Sequence, residues 1–152
     1  MDVNLINPFI ISFFDIMPQI GFKEVQKQGI SVKGKSIKSL GVMIMLGIVG
    51  DIKGNIIYSL EVESAKQIAS IMMMGSPVTE LDDMAQSALS ELSNMLTANA
   101  SISFAKNGTN INISTPTLMH GSDFEAKMNA DQVLCVSLLV DNIPIEINIA
   151  IN

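Results

Sequence analysis

Hydrophobic positions along the chain change period several times, and each change marks an element. Leu5, Phe9, Ser12, Phe13 and Ile16 recur at helical spacing, which predicts a helix over 3–19 with Asn7-Pro8 in its first turn or as an early irregularity. "FKEVQKQGISV" alternates loosely, as a strand with a turn at Gly29. Two apolar runs, "LGVMIMLGIVG" and "NIIYSLEV", are separated by "DIKG" and predict a hairpin. "SAKQIASIMMMG" returns to helical spacing and ends at Gly75, a C-terminal cap residue. The longest helical segment is expected to start near Thr79, with Asp82 completing an approximate capping box, and to stop before Asn107-Gly108.

Five strand-like pieces close the sequence: "NINIS", "TPTLMHG", "FEAKM", "VLCVSLLV" and "IPIEINIAI". The last two flank Asp141-Asn142 and predict a second hairpin, and "IPIEINIAI" alternates as a half-buried antiparallel strand does. Helix, strands and hairpin thus occur twice. The expectation is an α+β fold in a single domain over 1–152, an antiparallel sheet built from two pseudo-repeated halves with long helices packed on one side.

Composition narrows the classes. Of 152 residues, 48% are apolar and 16% charged, enough apolar surface for a core and too little charge for disorder. No apolar run approaches the roughly 20 residues of a membrane span, and the start lacks a signal-peptide pattern, so no membrane association and a cytoplasmic location are expected. A net charge of −6 with 5% aromatics argues against nucleic acid. The lone Cys135 reads as a buried strand residue and His120 as a loop residue, and together they make no metal site. The "MMM" at 72–74 reads as adaptable core packing.

One motif misleads. "GISVKGKS", Gly29 to Ser36, satisfies the phosphate-loop pattern G-x-x-x-x-G-K-[ST]. That loop works only where a helix begins behind it, and "IKSLGVMIMLGIVG" is β-branched, glycine-punctuated and without helical period.

The long helix offers chemistry of another kind. At about 100° per residue, Leu81, Ala85, Ala88, Leu92, Met95, Leu96 and Asn99 share the face expected to meet the core. Glu91 and Asn94 lie about 60° apart on the side away from it, with Ser87 and Ala98 beside them and Asp83 just beyond. By spacing alone, such a pair is better explained as the wet border of a helix. No neighbour activates a nucleophile, and no second acid is placed for a two-carboxylate mechanism. A carboxamide both donates and accepts hydrogen bonds, so it can aim a water, provided that a partner brings the phosphoryl group and its cations.

The segment "TELDDMAQSALSELSNMLTANA" resembles the central helix of CheX-type chemotaxis phosphatases, relatives of CheC, with an acidic entry, a Ser-Ala step and E-x-x-N-M. "INPFIISF", "GIVGDIKGNIIYSL", "ASIMMMG" and "TPTLMHG" follow the same order, so the resemblance covers nearly the whole chain. It implies a CheC-like fold and an enzyme that dephosphorylates the phospho-aspartate of a CheY-type receiver. Asn94 then orients the attacking water and Glu91 engages a receiver lysine, with Ser87 and Ala98 at the partner contact. No cofactor is expected on this chain, since Mg2+ belongs to the receiver. The first helix lacks E-x-x-N, as in one-site CheX proteins. The resemblance also implies a homodimer, with which the long terminal strand is compatible as a pairing edge. Ser93 and Ala98 stand where the family favours still smaller residues, which narrows close docking. The competing reading is a non-catalytic module that binds a receiver or a flagellar-switch partner through the same helix.

Overall fold

The computed structural model describes residues 3–151. A single turn of 3-10 helix, Val3–Leu5, precedes α1 (Asn7–Ile20). The expected continuous helix over 3–19 is interrupted because Pro8, in the first turn, has no N–H to carry the ladder back to Asn4. The chain continues through β1 (Val25–Lys33), β2 (Ser36–Lys38), β3 (Gly41–Gly50) and β4 (Gly54–Glu61) to α2 (Val62–Met72) and α3 (Asp83–Lys106). Then come β5 (Ile111–Ile113), β6 (Thr117–His120), β7 (Glu125–Lys127), β8 (Val133–Val140) and β9 (Ile143–Ile151).

The main sheet is antiparallel in the order β1-β8-β9-β4-β3-β5, and β6 continues alongside β3 beyond β5. The predicted hairpins β3–β4 and β8–β9 lie side by side in its centre. The outer strand from each half of the chain flanks the hairpin of the other half: β1 pairs with β8, while β5 and β6 pair with β3. The two pseudo-repeated halves are therefore interlocked, and a β2–β7 ribbon also takes one strand from each.

Alternation along the central strands builds two cores. Ile44, Leu46, Ile56, Tyr58, Ile147 and Ile149 face the helices, where they meet Phe9, Phe13, Leu89 and Leu96. Met43, Ile57, Val133 and Ala150 face the other way and are covered by Ile37, Ala126 and Met128 on or beside the ribbon. The helices occupy one side, as expected, and the opposite side has a cover of its own.

Turn chemistry holds where it is local. Asp141 and Asn142 both adopt positive φ (49° and 65°), the requirement of a two-residue hairpin turn. The Asp141 carboxylate also accepts hydrogen bonds from the backbone N–H groups of Lys23 and Glu24 at 2.8–3.1 Å, tying the turn to the start of β1. At Gly54 a Cβ would lie 1.9 Å from the Ala150 carbonyl oxygen, so only glycine lets β4 run this close to β9.

Several expectations need correction. The turn at Gly29 is a bulge within β1, between Lys27 and Gly29. The phosphate-loop lookalike needs none: it falls on β1 and the start of β2, and β3 follows rather than a helix, as expected. His120 ends strand β6 instead of lying in a loop. Of the three methionines, Met72 packs against the core, but Met74 is 98% exposed with φ +60°. The terminal strand β9 sits between β8 and β4, so both its edges are already paired and it offers none to a second subunit. Cys135 is buried in β8, as expected. Among the described residues, no helix is long and apolar enough to cross a membrane.

Candidate functional site

Helix α3 starts at Asp83, later than Thr79. Asp82 is its N-cap, accepting the Ala85 N–H at 2.9 Å. Its buried seam is Ala85, Leu89, Leu92, Ser93, Leu96, Thr97, Ala100 and Phe104. Ala88, Met95 and Asn99 are half-buried. The seam is thus turned from the expected face by about 80°, at about 100° per residue. The reason is that Ser93 and Thr97, polar by type, go inward and make internal hydrogen bonds. The rotation keeps Glu91 out in solvent, as expected, and leaves Asn94 half-buried.

Between this outer strip and the start of β6 lies an open groove of ≈610 Å³. From α3 it is lined by Asp83, Gln86, Ser87, Ser90, Glu91 and Asn94, and from the other side by Thr115 and Pro116, which lead into β6, and by Leu118 on it. The structure thus brings together Ser87, Glu91 and Asn94. Ala98 lies one turn further along α3, half-buried and outside the lining. Ser93 is 2% exposed and faces the core, so it touches no docked partner directly. Sequence reasoning missed the wall formed by Thr115, Pro116 and Leu118. Its signal was the "TPTLMHG" segment, noted for its order along the chain and without a place in space.

The groove is acidic, with two carboxylates, Asp83 and Glu91, and no cationic side chain in its lining. Among the described residues, the ion pairs are Lys33–Glu146 and Lys66–Glu63, so Glu91 is not engaged in one. The Glu91 and Asn94 side chains likewise make no hydrogen bond within the described chain, leaving a carboxylate and an amide unspent at the surface. Gln86 differs: its Nε2 donates to the Leu81 carbonyl at 2.8 Å, fastening the helix entry. Among the described residues, no group of three or more His, Cys, Asp and Glu side chains is arranged to hold a metal ion. The groove supplies hydrogen bonds and negative charge, and it has neither a paired nucleophile and base nor a closed cavity.

An interlocked antiparallel sheet with α1 and α3 on one face is the architecture of a CheC-like protein. The family described as chemotaxis phosphatase CheX matches residues 42–139. A curated relative, the CheY-P phosphatase CheX of Thermotoga maritima, is 30% identical over 128 residues, covering 84% of this chain and 82% of its own length. The chain belongs to the CheX family. Among solved structures, the chemotaxis protein CheX from Desulfovibrio desulfuricans superposes with a TM-score of 0.87 at 16% identity, over 99% of this chain and all of its own. The CheX-CheY-BeF3-Mg2+ complex from Borrelia burgdorferi gives a TM-score of 0.78 at 24% identity, with 99% of each chain covered. These two similarities establish the fold.

Proposed function

We propose that this protein accelerates hydrolysis of the phospho-aspartate of a CheY-type receiver in chemotaxis signalling. The observation that carries this reading is the pair of unspent groups, Glu91 and Asn94, facing one open acidic groove whose lining pairs no nucleophile with a base. Family membership and the relative named as a CheY-P phosphatase support it.

In this mechanism the Asn94 amide enters the receiver's site. Its oxygen accepts a hydrogen bond from water and its NH2 group donates one, so a lone pair of the water is aimed at phosphorus. Water attacks, the bond from phosphorus to the aspartyl oxygen breaks, and inorganic phosphate and the free carboxylate leave. Glu91 pairs with a receiver lysine and fixes the register of the two surfaces; a Mg2+ held by the receiver would offset charge on the phosphoryl oxygens. Ser87 lies at the contact, and Ala98 continues the strip along the same helix.

The proposal places the protein in the cytoplasm with its receiver. It also includes a homodimer joined at an edge other than that of β9. Among the described residues, β1 pairs on one side only, with β8, and leaves Ile30 and Val32 exposed.

The test is decay of a phosphorylated receiver with and without the protein, with binding measured in parallel. Faster decay supports the proposal. Complex formation without faster decay would reject it in favour of a non-catalytic docking module that binds a receiver or flagellar-switch partner.

A further inference from the structure

Beneath the Glu91–Asn94 turn, the buried side of α3 carries hydroxyl groups where a hydrophobic seam would be simplest. Ser93 is 2% and Thr97 0% exposed. The Ser93 hydroxyl donates to the Ser90 carbonyl at 2.7 Å, and the Thr97 hydroxyl donates to the Ser93 carbonyl at 2.7 Å. Thr97 Oγ1 also lies 2.8 Å from the phenol oxygen of Tyr58 on β4. A threonine hydroxyl has one proton, and this one is committed to Ser93, so the Tyr58 O–H is the donor to Thr97. The Tyr58 phenol is protonated at neutral pH in any case, and burial pushes it further above its ordinary range.

The bonds connect the middle of the sheet to the backbone of the functional turn. In an α-helix the Ser90 carbonyl is the acceptor for the N–H of Asn94, so the Ser93 hydroxyl shares the acceptor that anchors Asn94. Packing alone leaves slack at this point. A cavity of ≈20 Å³ opens among Tyr58, Leu89, Leu92, Ser93 and Leu96, directly under the turn.

We propose that Tyr58 and Thr97 are positioning residues for Asn94, locking the rotation of α3 about its own axis. The leverage is large. A group about 5–6 Å from a helix axis moves by about 1 Å for a rotation of about 10°, and a misplacement of about 1 Å in a reacting geometry costs up to about a hundredfold. Glu91 tolerates such a shift better, because a flexible carboxylate meeting a lysine does not need the alignment that an attacking water needs.

This inference rests on the phosphatase reading, and its test separates the two. Decay of phosphorylated receiver is followed as a function of protein concentration, giving a saturating rate and a half-saturation value, for Thr97→Val, Thr97→Ser and Tyr58→Phe. Thr97→Val is expected to lower the saturating rate about tenfold while half-saturation stays within about twofold. Thr97→Ser, which keeps the hydroxyl, restores most of the rate, and Tyr58→Phe falls between. If Thr97→Val does not fold, Tyr58→Phe, which removes a single oxygen atom, decides the question. A wild-type saturating rate in the folded hydroxyl-deleted variants, or a loss confined to half-saturation, overturns the inference. A wild-type protein that binds the receiver without accelerating decay overturns the phosphatase reading instead.

Discussion

Helices α1 and α3 lie on the same face of the sheet and pack against each other through Phe9 and Phe104, whose rings meet edge-to-face at 5.6 Å. Each begins one half of the pseudo-repeat, yet their outer strips differ. On α1 two residues three apart, Ile11 and Phe14, are 46% and 47% exposed. On α3 the same spacing presents Glu91 and Asn94, with Thr115, Pro116 and Leu118 opposite them. Below the strip, α1 has one back-bond from Ser12 to the Phe9 carbonyl, whereas α3 is tied to the sheet through Tyr58. A residue pair at the right spacing is therefore one part of a site. The second part is a wall from elsewhere in the chain, and the third is a means of fixing the helix beneath.

The sharpest way to test the contrast is to erase the chemistry of α3 while leaving its surface. Asn94→Ala is expected to reduce the acceleration of phospho-receiver decay by at least about a hundredfold, the loss of water positioning, with receiver affinity changed only a few-fold. If Asn94→Ala retained wild-type turnover, α3 would have no advantage over α1 beyond its charge.

Glu91→Ala comes next, as the charge half of the comparison. It should weaken receiver binding by about tenfold, or about 1.4 kcal/mol, and lower the rate at sub-saturating concentration in step. Raising the ionic strength should shrink the gap between wild type and Glu91→Ala, because an ion pair at a surface is screened. Titrations at two salt concentrations check both points, and a salt-independent gap would mean that Glu91 acts by shape.

How much of this contrast was legible in the sequence depends on how local each cause is. The Asp141-Asn142 turn and the "DIKG" hairpin were legible because their causes lie within a few residues. So was the outward placing of Glu91, which any core on the Leu89–Leu92–Leu96 side enforces. The inward turn of Ser93 and Thr97 was not, since the partner that satisfies Thr97 is Tyr58, 39 residues away. For the same reason the seam was placed toward Met95 and Asn99. "IPIEINIAI" shows which faces of β9 are apolar but holds nothing about its lateral neighbours, so the sequence leaves a central strand compatible with a free edge. The groove wall at Thr115–Leu118 also depends on pairing, here between β6 and β3.

The start of α3 provides a smaller test. Its cap is the Asp82 carboxylate on Ala85 N–H, whereas the residue at the same place before α1, Ile6, has no side-chain cap and the first turn relies on Pro8. Asp82→Ala should cost about 1 kcal/mol, seen as a drop of about 2–4 °C in Tm. Asn7→Ala, at the exposed first residue of α1, should change Tm by less. Equal shifts would show that the capping bond adds nothing beyond ordinary helix-entry effects.

The last experiment tries to turn one helix into the other. Ile11→Glu with Phe14→Asn writes E-x-x-N onto the outer strip of α1; each residue is about half exposed, so the change should cost about 1–3 kcal/mol of buried apolar surface, and its folding is checked by Tm. Made in an Asn94→Ala background, it should restore no acceleration of decay. Ile11 opens toward Asn4, Asn7, Ser103 and Asn107 at the end of the helix pair, where, among the described residues, no strand forms a wall like that of Thr115–Leu118. The receiver then has two matching side chains but no surface that holds them against its phosphoryl group. Recovery of acceleration in this variant would show that the strip alone suffices, and the wall and the Tyr58–Thr97 link would lose their place in the mechanism.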